Sequence, residues 1–391
     1  VFASRTNWQR QPNQLSQLIE EKRQSLSPIL DLTRSNPTEC GFRYPEERIL
    51  SALSHPAALQ YHPDPRGALP ARETIAKYYH DHGQPVDASR IVLTASTSEG
   101  YAFVFRLLCE SGDDVLVPVP SYPLFEYLAQ LSDVTLRPYQ LRYDGEWHVD
   151  LRSVEGALTS STKAIIIINP HNPTGMFLKK PELASLSALA ATRNCALIVD
   201  EVFADYGFAG AMPKIARTAA HENALTFTLN GISKLAGLPQ LKLGWIAVSG
   251  PRALREEALA RLEILADTYL SVNTPAQVAL PELLASGEIV REAIKTRTIN
   301  NYHFVRESIR DTSVCTALQS EGGWYGILQV PRTRSGDEWA IALLKNTGVY
   351  VHPGYFFEFQ EDNVLVLSLL TPADDFREGV RRLVSYVEGS G

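Results

Sequence analysis

Between residues 90 and 249 the sequence keeps switching between two periodicities, and this alternation restricts the possible fold more than any other feature of the chain. Short runs rich in aliphatic and β-branched residues, IVLT, DVLVPV, KAIIIIN, CALIVD, LTFTL and LGWIAVS, are separated by longer helical stretches such as EGYAFVFRLLCE, SYPLFEYLAQL and PELASLSALAATRN. Strand, helix, strand in repetition predicts parallel strands joined by crossover helices. The strand runs are apolar almost throughout, as they must be when helices cover both faces of the sheet.

The rest of the chain reads differently. An amphipathic segment, Pro251 to Leu270, follows the last strand run, and the tail carries a strand-like VLVLSLL. The first 45 residues hold one helical piece and the stretch LTRSNPTECGF, which suits neither flank of a parallel sheet. This predicts an α/β protein with a large domain at 46–280 and a smaller domain assembled from 1–45 and 281–391. With 391 residues, 45% of them hydrophobic and 21% charged, the chain can bury a large core.

Net charge is −7 with both signs interspersed, so neither a nucleic acid nor an anionic membrane is the expected partner. Apolar runs such as Ala164 to Ile168 fall far short of the roughly 18 residues of a spanning helix. The opening VFASRTNWQRQ lacks the layout of a secretory signal, and Cys40, Cys109, Cys195 and Cys315 lie too far apart for metal-ligand spacing. Small buried thiols in a reducing cytoplasm, and no metal, are the expectation.

The chemistry collects where the strands end, which is where open α/β sheets hold their ligands. IVLT runs into TASTSEG, so Ser96, Thr97 and Ser98 start a helix whose free amides suit a phosphate; a plain N-cap is the simpler reading. KAIIIIN runs into NPHNPTG, a proline-stiffened turn presenting Asn172. CALIVD ends on Asp200 and Glu201, carboxylates at the core edge that need a cationic partner or a capping role. LTFTL leads to GISK, with Lys234 beyond the strand end and Lys242 eight positions later in a stretch poor in counter-charges. A phosphate site, a partner for a protonated ring nitrogen and a lysine for an aldehyde are together what pyridoxal 5'-phosphate requires.

NPHNPTG, then DEVF, then SK, in that order and spacing, resembles the fold-type-I pyridoxal-phosphate enzymes of the class I/II aminotransferase family over essentially the whole chain. The resemblance implies an aspartate-aminotransferase-like fold with a mostly parallel seven-stranded sheet. It also implies transfer of an amino group between an amino donor and a 2-oxo acid through a Lys234 aldimine. On the same basis Asp200 faces the ring nitrogen, Asn172 the ring 3-oxygen, and Tyr122 stacks on the ring. Ser96, Thr97, Ser98, Ser233 and Lys242 hold the phosphate, with lysine standing where relatives usually have arginine. Tyr61 matches a tyrosine that reaches the neighbouring subunit's phosphate, which implies a homodimer, and the adjoining Gly67, Pro70 and Arg72 start the next helix.

The sequence departs from the family pattern on the substrate side. Val366 in VLVLSLL stands where relatives carry the arginine that grips the substrate carboxylate. Arg34, beside Ser35, is the first candidate to replace it and Arg66 the second. Phe203 replaces a tyrosine that donates to the ring 3-oxygen, with Tyr206 as a candidate substitute, and Gly231 replaces a phosphate-assisting serine. Trp324, Tyr325 and His352 match positions at or near the substrate entrance. The missing arginine keeps a carbon–sulfur lyase or decarboxylase open beside the transferase, and a non-catalytic cofactor-binding regulator is a third reading.

Overall fold

The computed structural model describes residues 1–8, 11–208, 216–309 and 313–390. Fourteen strands among these form three sheets: β1 (Leu30–Asp31), β2 (Ile91–Thr94), β3 (Asp114–Val119), β4 (Thr135–Tyr143), β5 (Trp147–Val149), β6 (Thr162–Ile168), β7 (Ala196–Asp200), β8 (Thr226–Gly231), β9 (Gly244–Ser249), β10 (Thr316–Ala317), β11 (Tyr325–Gln329), β12 (Val349–Tyr350), β13 (His352–Pro353) and β14 (Val364–Ser368). The large sheet has the order β2-β9-β8-β7-β6-β3-β4-β5. Strands β4, β3, β6, β7 and β8 pair in parallel.

Two details differ from the sequence expectation. The run LGWIAVS forms β9, which pairs antiparallel with both β8 and β2, because the chain after β8 makes only the four-residue helix Ile232–Leu235 and a short turn before doubling back. Without a full crossover helix, neighbouring strands pair antiparallel. The sheet also gains an eighth, three-residue edge strand, β5, hairpinned onto β4. Since β9 alone separates β2 from β8, those two strands still point the same way, and β2, β3, β6, β7 and β8 all deliver their carboxyl ends to one side.

The centre of the sheet is dry. Ile165, Ile167, Leu197 and Val199 pack into one apolar cluster while Ile166, Ile168, Ile198 and Leu229 pack into another on the opposite face. This two-sided burial explains the uninterrupted apolar runs. The helix Thr97–Leu108 covers one face together with Arg252–Tyr269, and Lys180–Arg193 covers the other.

The two ends of the chain meet in a second layer. β1 pairs in parallel with β12, and the four-stranded antiparallel sheet β10-β11-β14-β13 lies between the large sheet and the C-terminal helix Ala373–Glu388. The 35-residue helix Thr274–Ser308 runs from one part to the other: Ala276 and Leu283 join the cluster under β2 and β9, and Tyr302 and Val305 join the core around β14. One close approach ties the parts together near the Asn172 turn. Gly175 has φ 69°, and a Cβ there would lie 1.9 Å from Ser320 Oγ and 2.2 Å from the carbonyl oxygen of Gly322. Only glycine fits.

Candidate active site

The carboxyl ends of β2, β3, β6, β7 and β8 open into a cleft of about 800 Å³, a size suited to a small molecule. It is lined by Ser35, Ser96, Thr97, Ser98, Tyr122, Asn172, Asp200, Ser233, Lys234 and Lys242, so these sequence candidates are brought together. Tyr61 and the side chain of Arg34 are not among them.

The helix start is prepared locally. Ser96 caps the helix Thr97–Leu108 by accepting from the Glu99 amide at 3.1 Å, while Glu99 Oε2 accepts from the Ala95 amide at 2.6 Å. This reciprocal cap leaves the first-turn amides directed into the cleft end with the positive end of the helix dipole behind them. Lys242 closes the same end from an exposed left-handed position, φ 51°. Gly231 lies opposite Gly244 across β8 and β9, and a Cβ on it would meet Gly244 Cα and the Leu243 carbonyl at 3.0 Å. The tight strand contact explains glycine in place of serine.

Asn172 follows β6 on a turn held by the Gly175 amide donating to the His171 carbonyl at 2.7 Å and by the Leu178 amide donating to Asn169 Oδ1 at 2.9 Å. Its Oδ1 is buried with no hydrogen-bond partner among the described residues. Asp200, at the end of β7, accepts from the Val202 amide at 3.1 Å and from the Tyr101 hydroxyl at 3.2 Å. Burial dominates and pushes its pKa up to about 6. Glu201 points the other way, into the core, where Thr218 donates to it at 2.6 Å and burial raises its pKa to about 7.

Lys234 sits in the turn that follows β8. Its Nζ lies 5.0 Å from the Trp324 ring centroid and 6.0 Å from that of Phe203, and no carboxylate oxygen among the described residues is within 4 Å of it. Desolvation holds its pKa below the usual lysine value, with Asp200 opposing the shift in part. The aromatic floor is a triangle: Phe203 to Trp324 at 5.2 Å, Tyr206 to Trp324 at 5.1 Å and Phe203 to Tyr206 at 6.4 Å. Tyr206 does not replace the missing donor. Its hydroxyl donates to the Lys234 carbonyl at 2.7 Å, fully buried beneath the lysine turn, whereas Phe203 is the residue that faces the cleft. Arg291 holds the next carbonyl, Leu235, at 3.2 Å.

The substrate side departs from the arginine expectations. Arg34 is turned away, 3.6 Å from Asp375 at the start of the C-terminal helix, and its carbonyl accepts from Ser368. Arg66 is bound to Glu263, with its Nε 2.7 Å from the carboxylate. Val366 is wholly buried in β14, with Ile327 on one side and His352 on the other. Tyr325 and His352 do line the cleft, with Phe356 and Phe357 beside them, and Trp324 lies beneath Lys234 rather than at the entrance. Tyr61 is exposed, next to Leu270 in a separate shallow depression.

Sequence reasoning passed over Tyr101, Glu126 and Glu358. Tyr101 lies four residues after Thr97, on the helix face turned to Asp200, and that spacing was a usable signal. Glu126 and Glu358 line the cleft mouth; Glu358 takes a left-handed conformation, φ 59°, which a glutamate gives no sequence hint of.

Comparison with known proteins agrees with this fold. The profile of the family described as aminotransferase class I and II matches residues 42–383. The chain belongs to that family. Among relatives of this class I/II aminotransferase, glutamate-pyruvate aminotransferase AlaA of Haemophilus influenzae is 26% identical over 366 residues, covering 92% of this chain and 90% of its own. The alanine aminotransferase of Mycobacterium tuberculosis is 25% identical over 367 residues, covering 92% and 85%. The crystal structure of an aminotransferase from Escherichia coli superimposes with a TM-score of 0.86 at 24% identity, covering 100% of this chain and 98% of that one. Alanine aminotransferase from Pyrococcus furiosus gives a TM-score of 0.85 at 21% identity, covering 96% of each. The aminotransferase therefore has the aspartate-aminotransferase-like α/β architecture, and it is an enzyme of amino-group transfer.

Proposed function

We propose that this aminotransferase binds pyridoxal 5'-phosphate in the cleft, bonded to Lys234, and moves an amino group between an amino donor and a 2-oxo acid. The observation that carries this reading is the Lys234 ammonium, desolvated over Trp324 with no carboxylate oxygen of the described residues within 4 Å, in the same cleft as a buried carboxylate. Each of these is costly alone, and each is relieved by one group that brings an aldehyde and a protonated ring nitrogen.

Asp200, at the carboxyl end of β7, is the residue that would meet the ring nitrogen. A positive charge there returns it to a full carboxylate, since an opposite charge offsets the burial that raises its pKa. Asn172 would hydrogen-bond the ring oxygen, and Tyr122 would cover the ring face. The helix start at Ser96, Thr97 and Ser98, with Ser233 and Lys242, would take the phosphate. The bound cofactor supplies a protonated ring that accepts the electron pair left when the amine-bearing carbon loses its proton. Lys234 holds and moves that proton at Nζ, and its lowered pKa keeps more of it in the neutral form that can accept. Tyr206 and Arg291 keep the lysine turn in register by binding its carbonyls.

Tyr61 is proposed to serve a second copy. Its ring is exposed outside its own cleft, near the exposed Leu59, Tyr269 and Leu270, as an apolar patch awaiting a homodimer partner is. The four cysteines are free, which suits the proposed cytoplasmic location, and among the described residues no helix is long and apolar enough to cross a membrane. The lyase, decarboxylase and regulator readings give way to transfer because the named relatives are aminotransferases.

The test is an absorbance titration. Protein loaded with pyridoxal phosphate should show the band of a lysine-bound cofactor, convert to the pyridoxamine form with an amino donor, and return with a 2-oxo acid. Lys234→Ala should show neither the band nor the conversion. A wild-type protein that binds the cofactor yet exchanges with no donor defeats the proposal.

A further inference from the structure

Resting on that aminotransferase reading, we propose that the cleft selects amino donors with no carboxylate on the amine-bearing carbon, with His352 hydrogen-bonding the donor's uncharged end and Glu126 and Glu358 disfavouring an acid. Four observations converge on this. First, among the described residues of this chain the cations lining the cleft are Lys234 and Lys242, both assigned to the cofactor on that reading, and no guanidinium lines it. Second, the position that would project a cation from β14 is Val366, sealed in an aliphatic cluster with Ile327 and Val364, and Arg34 and Arg66 are tied to Asp375 and Glu263.

Third, the residue across from Val366 in the sheet is His352, which lines the cleft; its Nδ1 is sealed without a partner among the described residues, so Nε2 is the ring nitrogen left for a ligand. Desolvation lowers its pKa to about 4, so near neutral pH it presents an uncharged ring that gives or takes one hydrogen bond. Such a group suits an amide, hydroxyl or bare amine chain flanked by the rings of Phe356 and Phe357 at 5.4 and 5.9 Å. A single neutral bond is a poor substitute for a charged fork on a carboxylate. Fourth, Glu358 occupies a backbone conformation that favours glycine, and Glu126 is near enough to help burial raise its pKa. Neither glutamate pairs with a cation among the described residues. Like charge at the mouth opposes an incoming acid.

The reaction balances without an outside oxidant. The donor's C–N bond is replaced by C=O, its carbon losing two electrons, while the 2-oxo acceptor's C=O is replaced by C–NH2, its carbon gaining them; nitrogen and oxygen change places. The acceptor's own carboxylate is unclamped too, so a 2-oxo acid is held loosely.

The decisive experiment measures the donor half-reaction of the cofactor-loaded wild type with two matched pairs, phenethylamine against L-phenylalanine and L-alaninamide against L-alanine. The expected result is at least a tenfold higher kcat/KM for the carboxylate-free member of each pair. Calorimetry with non-reacting probes gives an independent readout: 3-phenylpropionamide should bind at least tenfold more tightly than 3-phenylpropionate. Glu126→Gln with Glu358→Gln, both at the exposed rim, should narrow the gap several-fold by improving the acids. Higher kcat/KM for the free acids overturns this inference and leaves the aminotransferase reading intact. Conversion of none of the four donors by protein that holds the cofactor overturns this inference, and the aminotransferase reading falls with it only if every other amino donor fails as well.

Discussion

Asp200→Asn in the cofactor-free protein tests the electrostatics of the cleft floor directly. The native carboxyl has its pKa raised from 3.8 to about 6 by burial. A raised carboxyl pKa means the folded state binds more protons than the unfolded state between those values, so the group's contribution to stability falls as pH rises through that window. Fully ionised, the buried carboxylate costs about 3 kcal/mol relative to its unfolded state, from 1.36 kcal/mol per pKa unit. At pH 5 most of the folded molecules carry the proton, and about 1.4 kcal/mol of that cost is recovered. Asparagine keeps an oxygen for the Val202 amide and the Tyr101 hydroxyl and does not titrate. Wild type should therefore gain about 1.4 kcal/mol on the variant between pH 8 and pH 5, read as the change in the difference of urea midpoints multiplied by the common slope. Glu201, whose raised pKa acts in the same sense, and His171 and His352, whose depressed pKa values act in the opposite sense, titrate in both proteins and cancel to first order. Adding pyridoxal phosphate should abolish Asp200's share of the pH dependence in wild type by supplying a cation to it. A difference that is flat, or that runs the other way, refutes the assignment of Asp200 as a buried carboxylate waiting for a positive partner.

The remaining predictions are more local. Lys242→Ala should weaken cofactor retention roughly 10- to 100-fold and Lys242→Arg should tighten it, because a charge-assisted bond contributes about 1.5–3 kcal/mol and a guanidinium adds a second; cofactor release by equilibrium dialysis reads both. Tyr206→Phe should cost about 0.5–1.5 kcal/mol in chemical denaturation by removing the 2.7 Å donor to the Lys234 carbonyl, which keeps only the Gly237 amide at 3.3 Å. It should also lower kcat more than it raises KM, with the cofactor band shifted, since the lysine turn loses an anchor. Gly175→Ala should cost about 2–4 kcal/mol, since a Cβ at φ 69° meets the Gly322 carbonyl at 2.2 Å; differential scanning calorimetry measures the loss.

Much of the fold could be read because burial on both faces leaves the strands no freedom in composition. The runs around Ile165 and Ile198 are legible for that reason, and with them the strand ends where Asn172 and Asp200 emerge. The direction of β9 was not, since it depends on how tightly twelve residues fold between Gly231 and Gly244 rather than on the strand's own residues. Arg34 shows a second limit. Its neighbourhood in the sequence is right, as Ser35 lines the cleft, but its guanidinium follows Asp375, which lies far along the chain. Val366 was identified as an absence of charge, and only the fold shows that His352 sits across from it. Glu358 was invisible because backbone conformation, not composition, sets it apart.

The parallel pairing of Leu30 with Val349 has a consequence for how the molecule is made. Every strand of the large sheet has left the ribosome by Ser249, so that layer can close on itself during synthesis, whereas β1 must wait for a partner more than three hundred residues later. Until then the start of LTRSNPTECGF, which carries Ser35 to the rim of the cleft, lacks its strand partner, although Cys40 and Phe42 further along can already meet Phe203, Tyr206 and Arg297. Bringing such distant segments together is slow because the closure entropy must be met before the contacts form. The substrate side of the pocket should accordingly be the last part to acquire its shape, and a newly made chain should hold the phosphate end of its cofactor before it can discriminate among donors.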